Sequence, residues 1–119
     1  MNNKYPPYVK YDPEKVENVE TGISRQVLAH DSNLMIVKVW FDEGAIGYEH
    51  KHHHTQASYV ESGKFEVKID GVTSILESGD SFYVEPFKMH GAVCLEKGVL
   101  IDVFTPHRED FINEDNNES

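Results

Sequence analysis

Four of the seven histidines in this chain stand together in His50-Lys51-His52-His53-His54. If that segment is extended, His50, His52 and His54 point to one face and His53 to the other, because side chains alternate along a strand. Imidazoles gathered on one inward face are costly to bury unless they are hydrogen-bonded or metallated. Neutral imidazole is also the commonest transition-metal ligand. Two ligands two residues apart reach an ion from the same side, so the others must come from elsewhere in the fold. A solvated histidine-rich loop is the competing explanation of the tract taken alone. Farther along, Asp102 interrupts the apolar run 99–104, where a carboxyl is expensive to bury without a purpose. Leu100, Asp102 and Phe104 share one face of that run, and Val99, Ile101 and Val103 share the other. An edge-strand aspartate facing water is the alternative. Arg108 follows Pro106, where its guanidinium could hold a carboxylate bidentately or pair locally with Glu109 or Asp110.

The elements that must position these residues are strands. Segment 23–30 ends at the turn Asp31-Ser32-Asn33, and segment 34–41, a run of mostly β-branched and aromatic residues, ends at Asp42-Glu43-Gly44. Segment 56–61 ends at Ser62-Gly63. Segment 64–69 alternates, with Phe65, Val67 and Ile69 on one face and Lys64, Glu66 and Lys68 on the other. Asp70-Gly71 is a two-residue hairpin signal leading into 72–76. Strands at 81–84, 91–95 and 99–104 complete about eight, with no segment of helical period long enough to compete, so an all-β sandwich or barrel is expected. Residues 1–21 read as an N-terminal arm, with Pro6, Pro7 and Pro13 among alternating charges. The barrel is expected over 22–111, and 112–119 as an acidic, disordered tail.

The spacing of glycines around the histidines narrows the fold. Gly44, five residues, His50-x-His52, three residues, Gln56, six residues and Gly63 resembles the first cupin motif at every spacing. Gln56 stands where that motif usually has glutamate. Gly79-Asp80, Pro86 and His90 resemble the second motif, although the proline is one place late and Lys88 stands near the usual glycine. The resemblance implies a cupin double-stranded β-helix, a jelly-roll barrel, that holds one divalent metal through His50, His52, Gln56 and His90. Those donors are all neutral, which leaves the ion a stronger Lewis acid in a weaker site than a carboxylate would give. Ni, Mn, Fe, Co and Zn all remain compatible. His54 then becomes a neighbour of the metal that either touches substrate or is a satisfied structural histidine.

Three further segments resemble the KdgF family of pectin and alginate breakdown: residues 22–28, His50-x-His52-x-His54-x-Gln56, and residues 102–111. That group typically has Pro at the place of His53 and Glu at the place of Thr55. The resemblance covers about Gly22 to Phe111. It implies conversion of 4,5-unsaturated monouronates into linear 5-keto-4-deoxyuronates, a ring opening with proton transfer. Asp102 would be the general acid/base, Arg108 the cation for the uronate carboxylate and Phe104 a wall for the sugar ring. Gln26 is a weaker substrate-facing expectation because it shares a parity with Leu28; Arg25 has the opposite parity and no better claim. Tyr48 and Tyr59 could also border the site. A cupin dioxygenase and a non-catalytic metal- or sugar-binding cupin are the competing functions.

Composition bounds the partners. The chain has 119 residues with 21 acids against 11 bases, net −10, and such a surface repels nucleic-acid backbones and anionic membranes. No apolar stretch reaches the roughly 20 residues of a membrane span, and the start lacks a secretory-type apolar segment. A single cysteine, Cys94, excludes an internal disulfide and fits a buried thiol in a reducing cytoplasm. Met35, Val37, Val39 and Phe41 form a further apolar face, which is expected to be covered in a homodimer. A small sugar acid is the expected substrate.

Overall fold

In a computed structural model that describes residues 4–116, the chain from Ile23 onward forms seven strands and an eighth precedes them, all paired antiparallel. A short 3-10 turn at Pro13–Lys15 precedes β1 (Glu17–Glu20), β2 (Ile23–His30), β3 (Met35–Phe41) and β4 (Ile46–His50). Then follow β5 (Thr55–Ile69), β6 (Val72–Glu77), β7 (Ser81–Val84), β8 (His90–Thr105) and one helix, α1 (Glu109–Asn116). The Asp70-Gly71 turn between β5 and β6 has both residues at positive φ, 51° and 84°, the geometry that matches the twist of a tight hairpin.

Two long strands organise the barrel. The first half of β5 lies between β7 and the second half of β8, which continues outward through β3, β2 and β1. The second half of β5 lies between β6 and the first half of β8, which also carries β4. The chain switches between these layers where the β5–β8 register shifts, from Val60 to Phe65. Sequence alone suggests four short strands here, because Ser62-Gly63 looks like a turn. It is a bend within a continuous strand. Gly63 has φ +88°, and a Cβ there would lie 2.5 Å from the Cα of Gly98 and 2.6 Å from the carbonyl oxygen of Glu96. The crossing of the two bends therefore excludes any side chain.

The core lies between the layers. Met35, Val37, Val39 and Phe41 are 0–8% exposed and face this interior, where Phe41 meets Phe65 edge-on at 5.1 Å. The expectation that they form an outer face for a partner is thus corrected, and with it goes the ground given for a homodimer. Cys94 is buried among them, as expected, and burial pushes its thiol pKa up.

Both ends are more ordered than the sequence suggests. Within the arm, β1 pairs with β2, and the backbones of Lys10 and Asp12 are tied to the Gln26 side chain. At the other end α1 extends through Asn116, where a disordered tail from 112 is expected, and Phe111 and Ile112 pack against the core. Residues 1–3 of the arm and 117–119 of the tail lie outside the described residues. No helix among the described residues is long and apolar enough to cross a membrane.

One glycine sets the approach of β4 to β8. A Cβ on Gly91 would lie 2.8 Å from the carbonyl oxygen of Gly47 and 3.0 Å from the backbone nitrogen of Glu49, beside the His50–His90 pair. Gly91→Ala should push β4 away and destabilise the fold by about 1–3 kcal/mol, as other overpacked sites do. Urea unfolding should show a lower midpoint at unchanged slope. An unchanged midpoint would mean that β4 yields without cost.

Candidate active site

Strand geometry brings three of the histidines to one point. His50 ends β4, His90 begins β8, and the two are paired across those strands with ring centroids 4.5 Å apart. His52 lies just beyond β4, with its ring 5.5 Å from that of His50 and 4.8 Å from that of His90. One nitrogen from each of the three lies within 4.8 Å of the other two. His54, on the same parity, does not join them: the chain leaves β4 after His50, and His54 packs on His52, His53 and Phe104 instead. It is 5% exposed, with neither ring nitrogen bonded to protein. His53 is exposed, as its parity predicts.

The backbone fixes which nitrogen His50 and His90 present. Nδ1–H of His50 donates to the carbonyl of Tyr48 at 3.0 Å and that of His90 to the carbonyl of Lys88 at 2.9 Å, while Nδ1 of His52 lies 3.2 Å from the carbonyl of His54. A carbonyl can only accept, so in His50 and His90 the proton sits on Nδ1 and Nε2 is left with a lone pair. The same bond occurs at His30, away from the cluster, so convergence is what distinguishes the three. Burial is the main force lowering the pKa of His52 and of His90, the latter to about 4, with Arg108 adding to both. Both rings are therefore neutral near pH 7, the state a metal needs.

Gln56 adds a fourth donor. Its Oε1 lies 3.1 Å from Nε2 of His52. His52 thus has an oxygen acceptor at each ring nitrogen and, when neutral, one proton for the two; with that proton on Nδ1, a cation between Nε2 and Oε1 would satisfy both lone pairs. Two donors at about 2.1 Å from one ion, at right angles, stand about 3.0 Å apart, so the separation fits neighbouring ligands. His90 Nε2 is buried with no protein partner, which supplies a second vacant lone pair for the same ion. The three histidines could hold a metal ion, and the donor set suits a divalent one.

The turn before His90 also holds the cluster. Phe87 takes φ +67° where a glycine would be at ease, and its N–H donates to the carbonyl of His52 at 2.7 Å. That bond ties the turn directly to the histidine segment.

His50, Gln56 and His90 line a cavity of about 550 Å³ to which both halves of the barrel contribute, a size usual for small-molecule sites. Leu100, Asp102 and Phe104 all line it, as their shared parity predicts. Asp102 accepts a 2.6 Å hydrogen bond from Ser58, whose own oxygen accepts one of 2.9 Å from Gln56 Nε2. Burial pushes the Asp102 pKa up to about 6, against the opposing pull of the Ser58 bond and of Arg108. Phe104 serves as wall and as core at once, meeting His52 and Phe111 edge-on.

Arg108 satisfies both readings of its position. It lines the cavity and also makes a two-point pair with Asp110, at 3.0 Å from Nε and 2.8 Å from Nη2. Among the described residues no side chain bonds the Nη1 side of the fork. A second arginine stands beside it: Arg25 lines the cavity, pairs with Glu17 at 2.9 Å and stacks on Phe111 at 3.6 Å, while Arg108 stacks on the same ring at 4.3 Å. The expectation for Gln26 is corrected here. It is 1% exposed and bonded at 3.2 Å to both Asp12 N–H and the Lys10 carbonyl, so it anchors the arm and is absent from the cavity wall. The signal for Arg25 is its parity with Ile23, which is buried. Tyr48 borders the cavity, whereas Tyr59 is 48% exposed on a strand whose even-numbered residues 56, 58 and 60 point inward.

Known proteins resemble this chain in sequence and fold. Residues 37–104 match the family described as Cupin domain. The pectin degradation protein KdgF of Dickeya dadantii (strain 3937) is 47% identical over 98 residues, which cover 81% of this chain and 89% of that protein. The crystal structure of an RmlC-like cupin from Shewanella frigidimarina NCIMB 400 is 47% identical, with a TM-score of 0.85 over 91% of this chain and 98% of that one. The structure of KdgF from Halomonas sp. is 42% identical, with a TM-score of 0.83 over 87% of this chain and 96% of that one. The chain belongs to the cupins and, within them, to the KdgF family.

Proposed function

We propose that this protein linearises 4,5-unsaturated monouronates by metal-assisted general acid–base catalysis, yielding 5-keto-4-deoxyuronates. The observation that carries this reading is a buried carboxyl, Asp102, on the same cavity wall as the imidazole cluster and within the field of Arg108. With a pKa near 6 it can both take and return a proton at neutral pH.

His50, His52, Gln56 and His90 would hold the ion, whose contribution is to polarise a substrate oxygen. Arg108, through the fork edge that Asp110 leaves open, holds the uronate carboxylate, and Arg25 adds a second positive charge. Phe104 sets the plane of the sugar ring. Asp102 removes the proton of the anomeric hydroxyl as the bond from C1 to the ring oxygen breaks. The former ring oxygen becomes the C5 ketone as C4 receives a proton from Asp102. No atom is gained or lost, so the change is an isomerisation. A sugar-binding cupin would need the arginines but no buried proton shuttle, which sets the enzyme reading above it.

Turnover tests this directly. The metal-loaded protein mixed with unsaturated galacturonate should remove the enol-ether ultraviolet absorbance, and His50→Ala should abolish the effect. Asp102→Asn should still bind the sugar acid but lose about 10²–10⁴-fold in rate, the usual contribution of a proton-transfer group. No acceleration with galacturonate- or guluronate-derived substrate would favour a binding module.

The same carboxyl should leave a mark on stability. Its folded pKa, about 6, lies above the ordinary 3.8, so the folded metal-free chain holds a proton that the unfolded chain releases between those values. The stabilisation is complete below about 3.8 and is lost as pH rises through 6. Removing the charge should therefore help at high pH. Metal-free Asp102→Asn is expected to be more stable than the natural protein at pH 8, by at most about 3 kcal/mol at 1.36 kcal/mol per pKa unit. The gap should close towards pH 4. Denaturant midpoints across that range would report it, and a pH-independent gap would contradict the burial of the charge.

A further inference from the structure

We propose that Ser58 is a positioning residue that fixes which end of the Gln56 amide faces the metal site and ties that orientation to Asp102. The inference rests on the ligand set His50, His52, Gln56 and His90 and goes beyond it.

An amide ligand has a weakness that a carboxylate lacks. One end carries lone pairs and can bind a cation; the other carries two N–H groups and cannot. Gln56 is 6% exposed, so bulk water does not select the orientation. Ser58 does. It is 3% exposed, its oxygen is 2.9 Å from Gln56 Nε2 and 2.6 Å from Asp102 Oδ1, and it has a single proton to give. An ionised Asp102 can only accept, so that proton points to Asp102. Ser58 then turns a lone pair to Gln56, which only the amide N–H can satisfy. The Gln56 oxygen is left aimed at the cluster, 3.1 Å from His52 Nε2. Reversing the amide would make Ser58 donate to Gln56, and the 2.6 Å contact could then persist only with a proton on Asp102. One hydroxyl thus links the metal ligand to the acid/base. The sheet makes this possible: Ser58 pairs with Asp102 across β5 and β8, and Gln56 is two residues earlier on the same inward face.

Cobalt(II) is a suitable probe, because its visible absorption bands follow its ligands as well as its occupancy. Competition with a chromophoric chelator at pH 8 should show Ser58→Ala binding cobalt about tenfold or more weakly, with altered bands, as loss of a ligand-orienting partner typically costs 10–100-fold. In a Gln56→Glu background the same Ser58→Ala change should cost less than about threefold, since either carboxylate oxygen can face the ion. Natural affinity and spectrum in Ser58→Ala would overturn the inference. So would an equal loss in both backgrounds, which would mean a general packing effect. If the natural protein bound cobalt no better than its His50→Ala variant, the ligand set itself would fail, and the role of Ser58 with it.

Discussion

The polar chain from Gln56 through Ser58 to Asp102 depends on the register of β5 against β8. The two strands pair from Thr55 opposite Thr105 to Ile69 opposite His90, through a bend that carries them from one layer to the other. One register sets Gln56 opposite Phe104, Ser58 opposite Asp102 and Val60 opposite Leu100, all pointing inward. A slip of β5 by one residue would turn Gln56, Ser58 and Val60 outward, because side chains alternate with period two. The bend is guarded by the contact of Gly63 with Gly98, where no side chain fits. Apolar burial at Val60, Phe65 and Leu100 and the polar chain from Gln56 to Asp102 therefore select the same register.

The electrostatics follow from that placement. The proposed donors carry no charge, and burial keeps His52 and His90 neutral. Among the charged groups that line the cavity, Arg108 is balanced by Asp110 and Arg25 by Glu17. Arg108 and its own hydrogen bonds keep the Asp110 pKa low in spite of burial, so this pair stays ionised. In the proposed reaction, an ion bound by neutral donors would keep its full charge for a substrate oxygen, while Arg108 and Arg25 would offer positive charge to the carboxylate. Phe111 of α1 stacks on both arginines, so the helix helps to hold the cationic side of the cavity.

Much of this was legible in the sequence because it depends on short periods. The His50-x-His52 spacing and the inward parity of Asp102 and Phe104 are local patterns, and the fold kept them. The parity argument stops at saying which residues share a face; it does not say which face is inward. Gln26 and Arg25 were therefore inseparable until β2 was seen with Ile23 in the core. For the same reason the apolar face of Met35 and Val37 suggested an interface and proved to be interior. His54 lies beside the cluster against His52, the neighbouring place that the motif spacing implies for it. Strand β1 and helix α1 have little apolar pattern of their own, and tertiary contacts with β2 and the core hold them. Ser58, a small polar residue in an alternating strand, gives no signal in sequence. Its role exists only across the β5–β8 pair.

The central claim is that three imidazoles and one amide oxygen, all neutral, surround a single divalent ion. X-ray absorption at the metal edge of the loaded protein measures that set most directly. The account predicts multiple-scattering features of three imidazoles, further light donors from oxygen and no sulfur, with one imidazole lost in each of the His50→Ala, His52→Ala and His90→Ala variants and none lost in His54→Ala. A spectrum with fewer imidazoles, or one that changes when His54 is removed and not when His90 is removed, would contradict it.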